Sequence, residues 1–408
     1  MRHRGARVFP LLVVLVACGS GNAPAARSLV RDSAGVTIVE NFAPLAPDSV
    51  AMVVDSTSML EIGGSGDART EFGRVAGTVR LRDGVIVVAD RGNSELRFFD
   101  STGAWQRTVG RKGAGPGEFD MIGGLYRLES DSLAVFDINQ RRVSVFGADG
   151  TLKRGMTLSG SLQDGFPSVI GVMGEDLLVL IETFSQSQQS GNRRDTMPIL
   201  RYPRWATPAL PLGAFPGWEM HSEVSRNPAG QIRSITNTIL PFGRMLWLGI
   251  GKDRLHVGTA DRYEIASHDS TGRLTRLMRW AHAPVPVTDA DIAAVKQQML
   301  EGFRPGAEAE RDRTRGMLDG MTFHSTKPAY DGLIVGDDAG LWVRRYNQPA
   351  VDLPARYDLF DPDGQWLGHV TFPPRFTLHH AGPGYALGVW LDPDDVNYVR
   401  LYRLRPTP

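Results

Sequence analysis

The chain has 408 residues, 42% of them hydrophobic and 22% charged, with a formal net charge of zero. This balance suits a large hydrophobic core and excludes a disordered or strongly charged chain. Zero net charge leaves no field to gather nucleic acid, so no nucleic-acid partner is expected. The single cysteine, Cys18, excludes an intrachain disulfide and a cysteine-based zinc cluster.

Arg2, Arg4 and Arg7 precede an apolar run from Val8 to Ala17. The run is too short to span a bilayer, and residues 1–17 read as a signal peptide. Leu15-Val16-Ala17-Cys18 resembles the bacterial lipobox. The resemblance implies that Cys18 is lipidated and that acyl chains hold the protein on a membrane without crossing it. A plain secretory signal with an incidental cysteine is the alternative. Gly19, rather than Asp, follows the cysteine. By the same resemblance this implies outer-membrane sorting and a place in the cell envelope, facing either the periplasm or the outside. Residues 18–35 are small and polar and read as a flexible tether.

From residue 36 the pattern is all-β. Val36-Thr37-Ile38-Val39-Glu40 and Ser58-Met59-Leu60-Glu61-Ile62 are predicted strands. Glu71 to Gly103 then returns without a gap as Glu118 to Gly150. Arg80-Leu81 matches Arg127-Leu128, Asp90 matches Asp137 and Phe99 matches Phe146, a shift of 47 positions (71 to 118). A period of roughly 40–50 residues marks a propeller or related repeat. Apolar runs such as Val85-Ile86-Val87-Val88-Ala89, separated by Gly/Asp turns, predict four-stranded antiparallel blades.

A third, degenerate blade is expected from Val169 to Leu212, with a polar loop at Ser185 to Thr196. A fourth runs from Met245 to Trp280. The period then breaks at residues 288–321, where Thr288 is a candidate N-cap and two helices are predicted. A fifth blade runs from Ala329 to Thr371 and a sixth from Phe376 to Leu404. Ser58 to Ile62 holds the register of a fourth strand yet precedes the first blade, so it is expected to complete the last blade and close the ring. Gly217 to Leu240 fits no blade, which leaves seven blades open beside six. The expected fold is an all-β, six-bladed β-propeller of four-stranded antiparallel blades over residues 36–404, with N-terminal strand closure and one helical insertion.

Val88-Ala89-Asp90-Arg91-Gly92-Asn93 with Phe98-Phe99-Asp100, then Gly110-Arg111-Lys112-Gly113 and Gly115-Pro116-Gly117-Glu118-Phe119, resembles the NHL repeat. The whole is similar to six-bladed, TolB-like propeller lipoproteins of bacteria. The resemblance implies fold and envelope localisation and carries no activity with it. The motif departs in the second blade, where Asp137-Ile138-Asn139 moves the Asn one place forward.

Asp90 and Asp137 close the second strands of their blades. Each is a ligand or metal position at one mouth of the ring, or a turn carboxylate accepting backbone N–H groups; repetition favours the turn. His379 and His380 are adjacent and point to opposite faces of a strand, so one of them, with His380 the candidate, lines the channel unless both are ordinary packing. Gly113 to Gly117 reads as an inter-blade crossing, and Asp361-Pro362-Asp363-Gly364 as a turn. There is no H-E-x-x-H, no G-x-S-x-G and no cysteine nucleophile. No metal or cofactor is expected. The expected function is a lipid-anchored binding or scaffold module for a protein or small-molecule ligand. The alternative, a metal-dependent hydrolase of lactonase or esterase type with its site in the central channel, rests on fold analogy alone.

Overall fold

The computed structural model describes residues 26–159, 165–183, 189–304, 306–347 and 352–407; the signal peptide and Cys18 lie outside the described residues. Two N-terminal hairpin strands come first, β1 (Ser28–Ser33) and β2 (Val36–Asn41), then β3 (Met52–Val54) and β4 (Leu60–Ile62). Blade 1 is β5 (Val75–Arg80), β6 (Ile86–Asp90), β7 (Glu95–Phe99) and β8 (Trp105–Val109). Blade 2 is β9 (Ile122–Arg127), β10 (Leu133–Asp137), β11 (Arg142–Phe146) and β12 (Leu152–Thr157). Blade 3 has five strands, β13 (Phe166–Met173), β14 (Asp176–Glu182), β15 (Gly191–Tyr202), β16 (Leu210–Arg226) and β17 (Ile232–Ile239). Blade 4 is β18 (Trp247–Ile250), β19 (Arg254–Gly258), β20 (Glu264–Asp269) and β21 (Leu274–Trp280). Helices α1 (Asp289–Glu301) and α2 (Glu308–Gly320) follow. Blade 5 is β22 (Tyr330–Val335), β23 (Leu341–Arg345), β24 (Pro354–Phe360) and β25 (Trp366–Pro374). Blade 6 is β26 (Phe376–Gly382), β27 (Tyr385–Leu391) and β28 (Asn397–Pro406). The six sheets make a six-bladed β-propeller.

The burial gradient across a blade explains the sequence pattern. β6 and β10 are buried at every position, because each sheet packs between two neighbours. The outer strand β8 is largely exposed and correspondingly polar. The innermost strands carry a recurrent irregularity. The pairing register slips at Val75/Gly77, Val169/Gly171, Tyr330/Gly332 and Leu378/His380, leaving one extra residue in each strand. Such bulges raise local twist and help a narrow inner strand turn around an axis.

The ring closes as the register of Ser58 to Ile62 anticipates. β4 pairs with β28 through Leu60↔Leu401, Glu61↔Arg400 and Ile62↔Val399. β3 adds to the far end of the same strand through Val54↔Leu404. Ile62 is 3% exposed, in a cluster with Phe72, Ile86 and Phe99 of blade 1 and Leu387 and Val399 of blade 6.

Three regions differ from the sequence expectation. Residues 28–33, placed in the tether, form β1, which pairs antiparallel with β2; β2 in turn pairs parallel with β21, extending blade 4 outward. Asn41, at the end of β2, is buried and fully bonded: Nδ2 donates to Arg279 O (3.1 Å) and Gly364 O (3.0 Å), and Oδ1 accepts from Trp366 N (2.8 Å). This ties the hairpin to the seam of blades 4 and 5, where Trp280 and Trp366 lie with ring centroids 4.2 Å apart. Of the stretch read as polar loop from Ser185 to Thr196, residues 185–188 lie outside the described residues and 191–196 belong to β15, and Gly217 to Leu240 holds the β16–β17 hairpin of blade 3 rather than a seventh blade.

Ile62→Ala should lower unfolding free energy by about 2–5 kcal/mol, because it empties a buried site shared by the first and last blades. The exposed neighbour Met59→Ala should stay within about 0.5 kcal/mol. Urea unfolding of the two variants checks the closure.

Candidate functional site

The innermost strands all start on one face of the ring, where outer strands cross to the next blade, and end on the other. Asp90 and Asp137 lie on the crossover face, at the ends of second strands. Asp90 is fully buried and accepts from the N–H groups of Gly73 (3.1 Å), Arg74 (3.1 Å) and Gly92 (3.0 Å) and from Asn93 Nδ2 (2.7 Å). Arg97 stands 3.4 Å away and is itself 4% exposed. Asp137 accepts from Asp120 N (2.6 Å), Gln140 N (2.9 Å) and Gln140 Nε2 (3.0 Å). Both carboxylates spend their lone pairs on tying a turn to the start of an inner strand.

His380 lies at the opposite mouth, near the end of β26. Its Nδ1 accepts from Arg80 N (3.0 Å) and its Nε2 faces Asp337 Oδ1 (3.0 Å). Because Nδ1 accepts, the ring proton is assigned to Nε2, which donates to Asp337. Asp337 also receives Tyr385 OH (2.8 Å) and an ion pair from Arg127. Arg127 NH1 donates to Arg80 O (2.6 Å), and the Arg80 guanidinium lies 4.9 Å from the Tyr385 ring centroid. This network links inner strands of blades 1, 2, 5 and 6 across the channel mouth. Both nitrogens of His380 are occupied by protein, so it latches this mouth and has no free lone pair for a substrate proton. His379 is the bulged residue and meets Thr78 Oγ1 (3.5 Å) instead.

The crossover face carries a second group of polar residues that spacing gave no means to find. The first halves of β15 and the later part of β16 project past β14, which pairs only with Ile199–Tyr202. β17 extends that projection. The helical insertion joins it. α1 starts at a capping box in which Thr288 Oγ1 accepts Asp291 N (3.2 Å) and Asp291 Oδ2 accepts Thr288 N (2.9 Å). Leu318 and Met321 pack on Leu240 beyond β17, and Phe323 meets Phe242 edge-on at 6.3 Å. Asn192 Nδ2 donates to Thr322 O (2.7 Å). The insertion therefore caps the crossover face against blade 3.

Under this cap Glu219 Oε2 accepts from Arg244 N (2.6 Å) and lies 2.7 Å from His324 Nε2. Since Glu219 only accepts, the proton sits on Nε2, and His324 Nδ1 is left without a hydrogen bond among the described residues. Arg244 NH2 donates to Thr326 Oγ1 (2.8 Å) and NH1 to Phe242 O (3.3 Å). Nearby, Arg194 pairs with Asp261 (3.2 Å) and Lys327 with Asp291 (2.9 Å). Burial holds the Arg244 guanidinium below its usual range, with Asp261 and Glu219 acting the other way. Burial pushes the Tyr346 hydroxyl up, with Asp331 and Asp291 adding to it. Among the described residues no group of three His, Cys, Asp or Glu is placed to hold a metal ion.

A family model described as a 6-bladed beta-propeller, DUF5128, matches residues 69–164, the span of blades 1 and 2. No curated protein matches the sequence. Among solved structures the chain is similar to a member of the DUF4221 family from Bacteroides vulgatus, at 8% identity over 88% of this chain and 100% of that one, TM-score 0.53. It is also similar to virginiamycin B lyase from Staphylococcus aureus (12% identity, 85% and 98% covered, TM-score 0.41) and to a gluconolactonase from Xanthomonas campestris (13%, 88% and 99%, TM-score 0.40). At 8% identity the likeness to the DUF4221 member speaks to fold alone.

Two outcomes separate scaffold from site. Asp90→Ala should cost about 3–5 kcal/mol in urea unfolding, as expected when a buried charge partner is removed from Arg97. The second concerns Asp337. Burial alone would raise its pKa, but the His380 and Tyr385 hydrogen bonds and the Arg127 charge prevail and bring it down to about 2. A depressed folded-state pKa contributes stability above the unfolded value of about 4, and that stability is lost as pH falls from about 4 toward 2. Asp337→Asn should therefore be less stable than wild type at neutral pH by about 1 kcal/mol, less than the full shift would give because the carboxylate is partly open to solvent, with the gap closing across that acid window.

Proposed function

We propose that this protein is a lipid-anchored, NHL/TolB-like propeller of the bacterial envelope, held to the outer membrane through Cys18, and that it works as a binding module whose ligand is received on the capped crossover face. The observation that carries the proposal is the asymmetry of that face. Blades 1 and 2 repeat the same turn chemistry at Asp90 and Asp137, which marks scaffolding. The elaborated blade 3 and the helical insertion break the repeat, meet one another through Leu240, Leu318 and Met321, and enclose side chains that have no counterpart in other blades.

The Leu15 to Cys18 lipobox resemblance supports the anchor. Among the described residues no helix is long and apolar enough to cross a membrane. The metal-dependent hydrolase has no gathered donor set to rest on among those residues. The exposed side of α2, with Asp312 at 69% side-chain exposure, presents the cap to a partner.

A photocrosslinker at Asp312 tests this in the native envelope against one at Asp253, equally exposed at 71% but in the β18–β19 turn of the other face. A saturable adduct at Asp312, competed by excess purified protein and absent at Asp253, is expected. Equal labelling at both positions, or none at either, would sink the proposal. Cys18→Ala should release the chain from the membrane fraction.

A further inference from the structure

Burying a guanidinium without a carboxylate against it is costly, because the desolvation of the charge is not repaid by a counter-charge. The described residues include two buried arginines, Arg97 at 4% and Arg244 at 5% exposure. Arg97 has Glu95 at 2.7 Å and Asp90 at 3.4 Å. Arg244 has no carboxylate within ion-pair distance among the described residues; its guanidinium meets only a backbone carbonyl and a threonine hydroxyl. The nearest acids bond to other groups, Asp261 to Arg194 and Glu219 Oε2 to the Arg244 peptide N–H and His324, and act on the guanidinium only from beyond ion-pair distance.

The backbone that carries this arginine is held rigidly. Glu219 bonds it at both ends, with Oε2 accepting Arg244 N at 2.6 Å and Glu219 N donating to Arg244 O at 2.9 Å. Two more polar groups of this face have unspent hydrogen-bonding capacity, and one of them, His324, shares Glu219 Oε2 with the Arg244 peptide N–H. His324 Nδ1 and the Tyr346 hydroxyl make no hydrogen bond among the described residues, and Tyr346 is close enough for its charge state to interact with Arg244. A fixed guanidinium with no carboxylate at ion-pair distance, together with a free hydroxyl donor, is a complement to an oxyanion.

We propose that Arg244, with Tyr346 and His324, binds an oxyanion group, carboxylate or phosphate, of a small-molecule ligand at the capped mouth of the ring. The guanidinium supplies the charge and paired N–H donors. Tyr346 donates its hydroxyl, and His324, oriented by Glu219, offers Nδ1 to a hydroxyl or amine next to the oxyanion. This rests on the capped-face reading and names its ligand chemistry.

Isothermal titration of the full mature chain in detergent with citrate, with inorganic phosphate and with chloride at matched ionic strength tests it. Saturable binding of citrate or phosphate, but not chloride, is expected, and which of the two binds assigns the group as carboxylate or phosphate. Arg244→Met should weaken that binding at least about tenfold, as for loss of a charge-assisted pair. Tyr346→Phe and His324→Asn should weaken it by a smaller factor without lowering the thermal midpoint. If Arg244→Met does not fold, those two variants decide the matter. No binding of either oxyanion by wild type, or wild-type affinity in the variants, would overturn the site. Should that happen while the Asp312 adduct persists, the oxyanion proposal falls and the binding module stands.

Discussion

The pairing of β28 with β3 and β4 is the constraint on which the rest of the molecule depends. Five of the blades are finished by strands that follow one another in sequence. The sixth is finished by strands that precede the first blade. Without them blade 6 would present β28 as an open edge, and the apolar faces of blades 1 and 6 would lose the residue that joins them, Ile62. The entropy of closing so long a loop grows only logarithmically with length. A few ladder bonds and one buried cluster therefore suffice to hold a ring whose closing strands, β4 and β28, stand more than 300 residues apart.

Closure also explains why the elaborations sit where they do. With the seam bonded and each second strand buried, extra residues can enter only at turns, at crossovers or along outer edges. The helical insertion enters at the crossover between blades 4 and 5. The blade 3 strands lengthen toward the same face, and β1–β2 adds to the outer edge of blade 4. The two mouths differ chemically as a result. One is bridged by Arg127, Asp337 and His380, whose hydrogen-bonding groups satisfy one another. The other is roofed by segments from outside the repeat and retains groups with unspent hydrogen-bonding capacity.

Legibility in the sequence followed locality. Blades 1 and 2 align residue for residue from Glu71 and Glu118, because short strands with tight Gly/Asp turns leave little freedom of spacing. Thr288 announced its helix as a candidate N-cap, a local signal, and the capping box it forms with Asp291 spans only four residues. β1 was hidden because Ser28 to Ser33 has little alternation; it is a strand through its partner β2. The β16–β17 hairpin was hidden for a similar reason. Most of β17 is exposed, and its order comes from pairing with β16 and from the helices packed beyond it. Arg244 had no signal at all. It sits in a loop, and the residues that define its surroundings stand at 219, 324, 326 and 346, a separation that no motif spacing encodes. The only visible pointer was indirect, in the break of period at 288–321 and the excess length of blade 3.

Repetition provides the physical test that separates scaffold from site in this ring. A buried polar residue that recurs in the same register answers a need that every blade has, and Asp90 and Asp137 do so by satisfying backbone N–H groups that would otherwise be buried unpaired. Once those bonds are made, little acceptor capacity is left for a ligand. A buried charge that occurs once answers no shared structural need. Arg244 is of this kind: no carboxylate among the described residues lies within ion-pair distance of it, and Asp261 and Glu219 offset its desolvation only in part from further away. Folding alone would favour an apolar side chain in its place. Retaining a guanidinium there makes physical sense when its counter-ion arrives from outside, so the same feature that weakens the isolated ring would strengthen it when a ligand is bound.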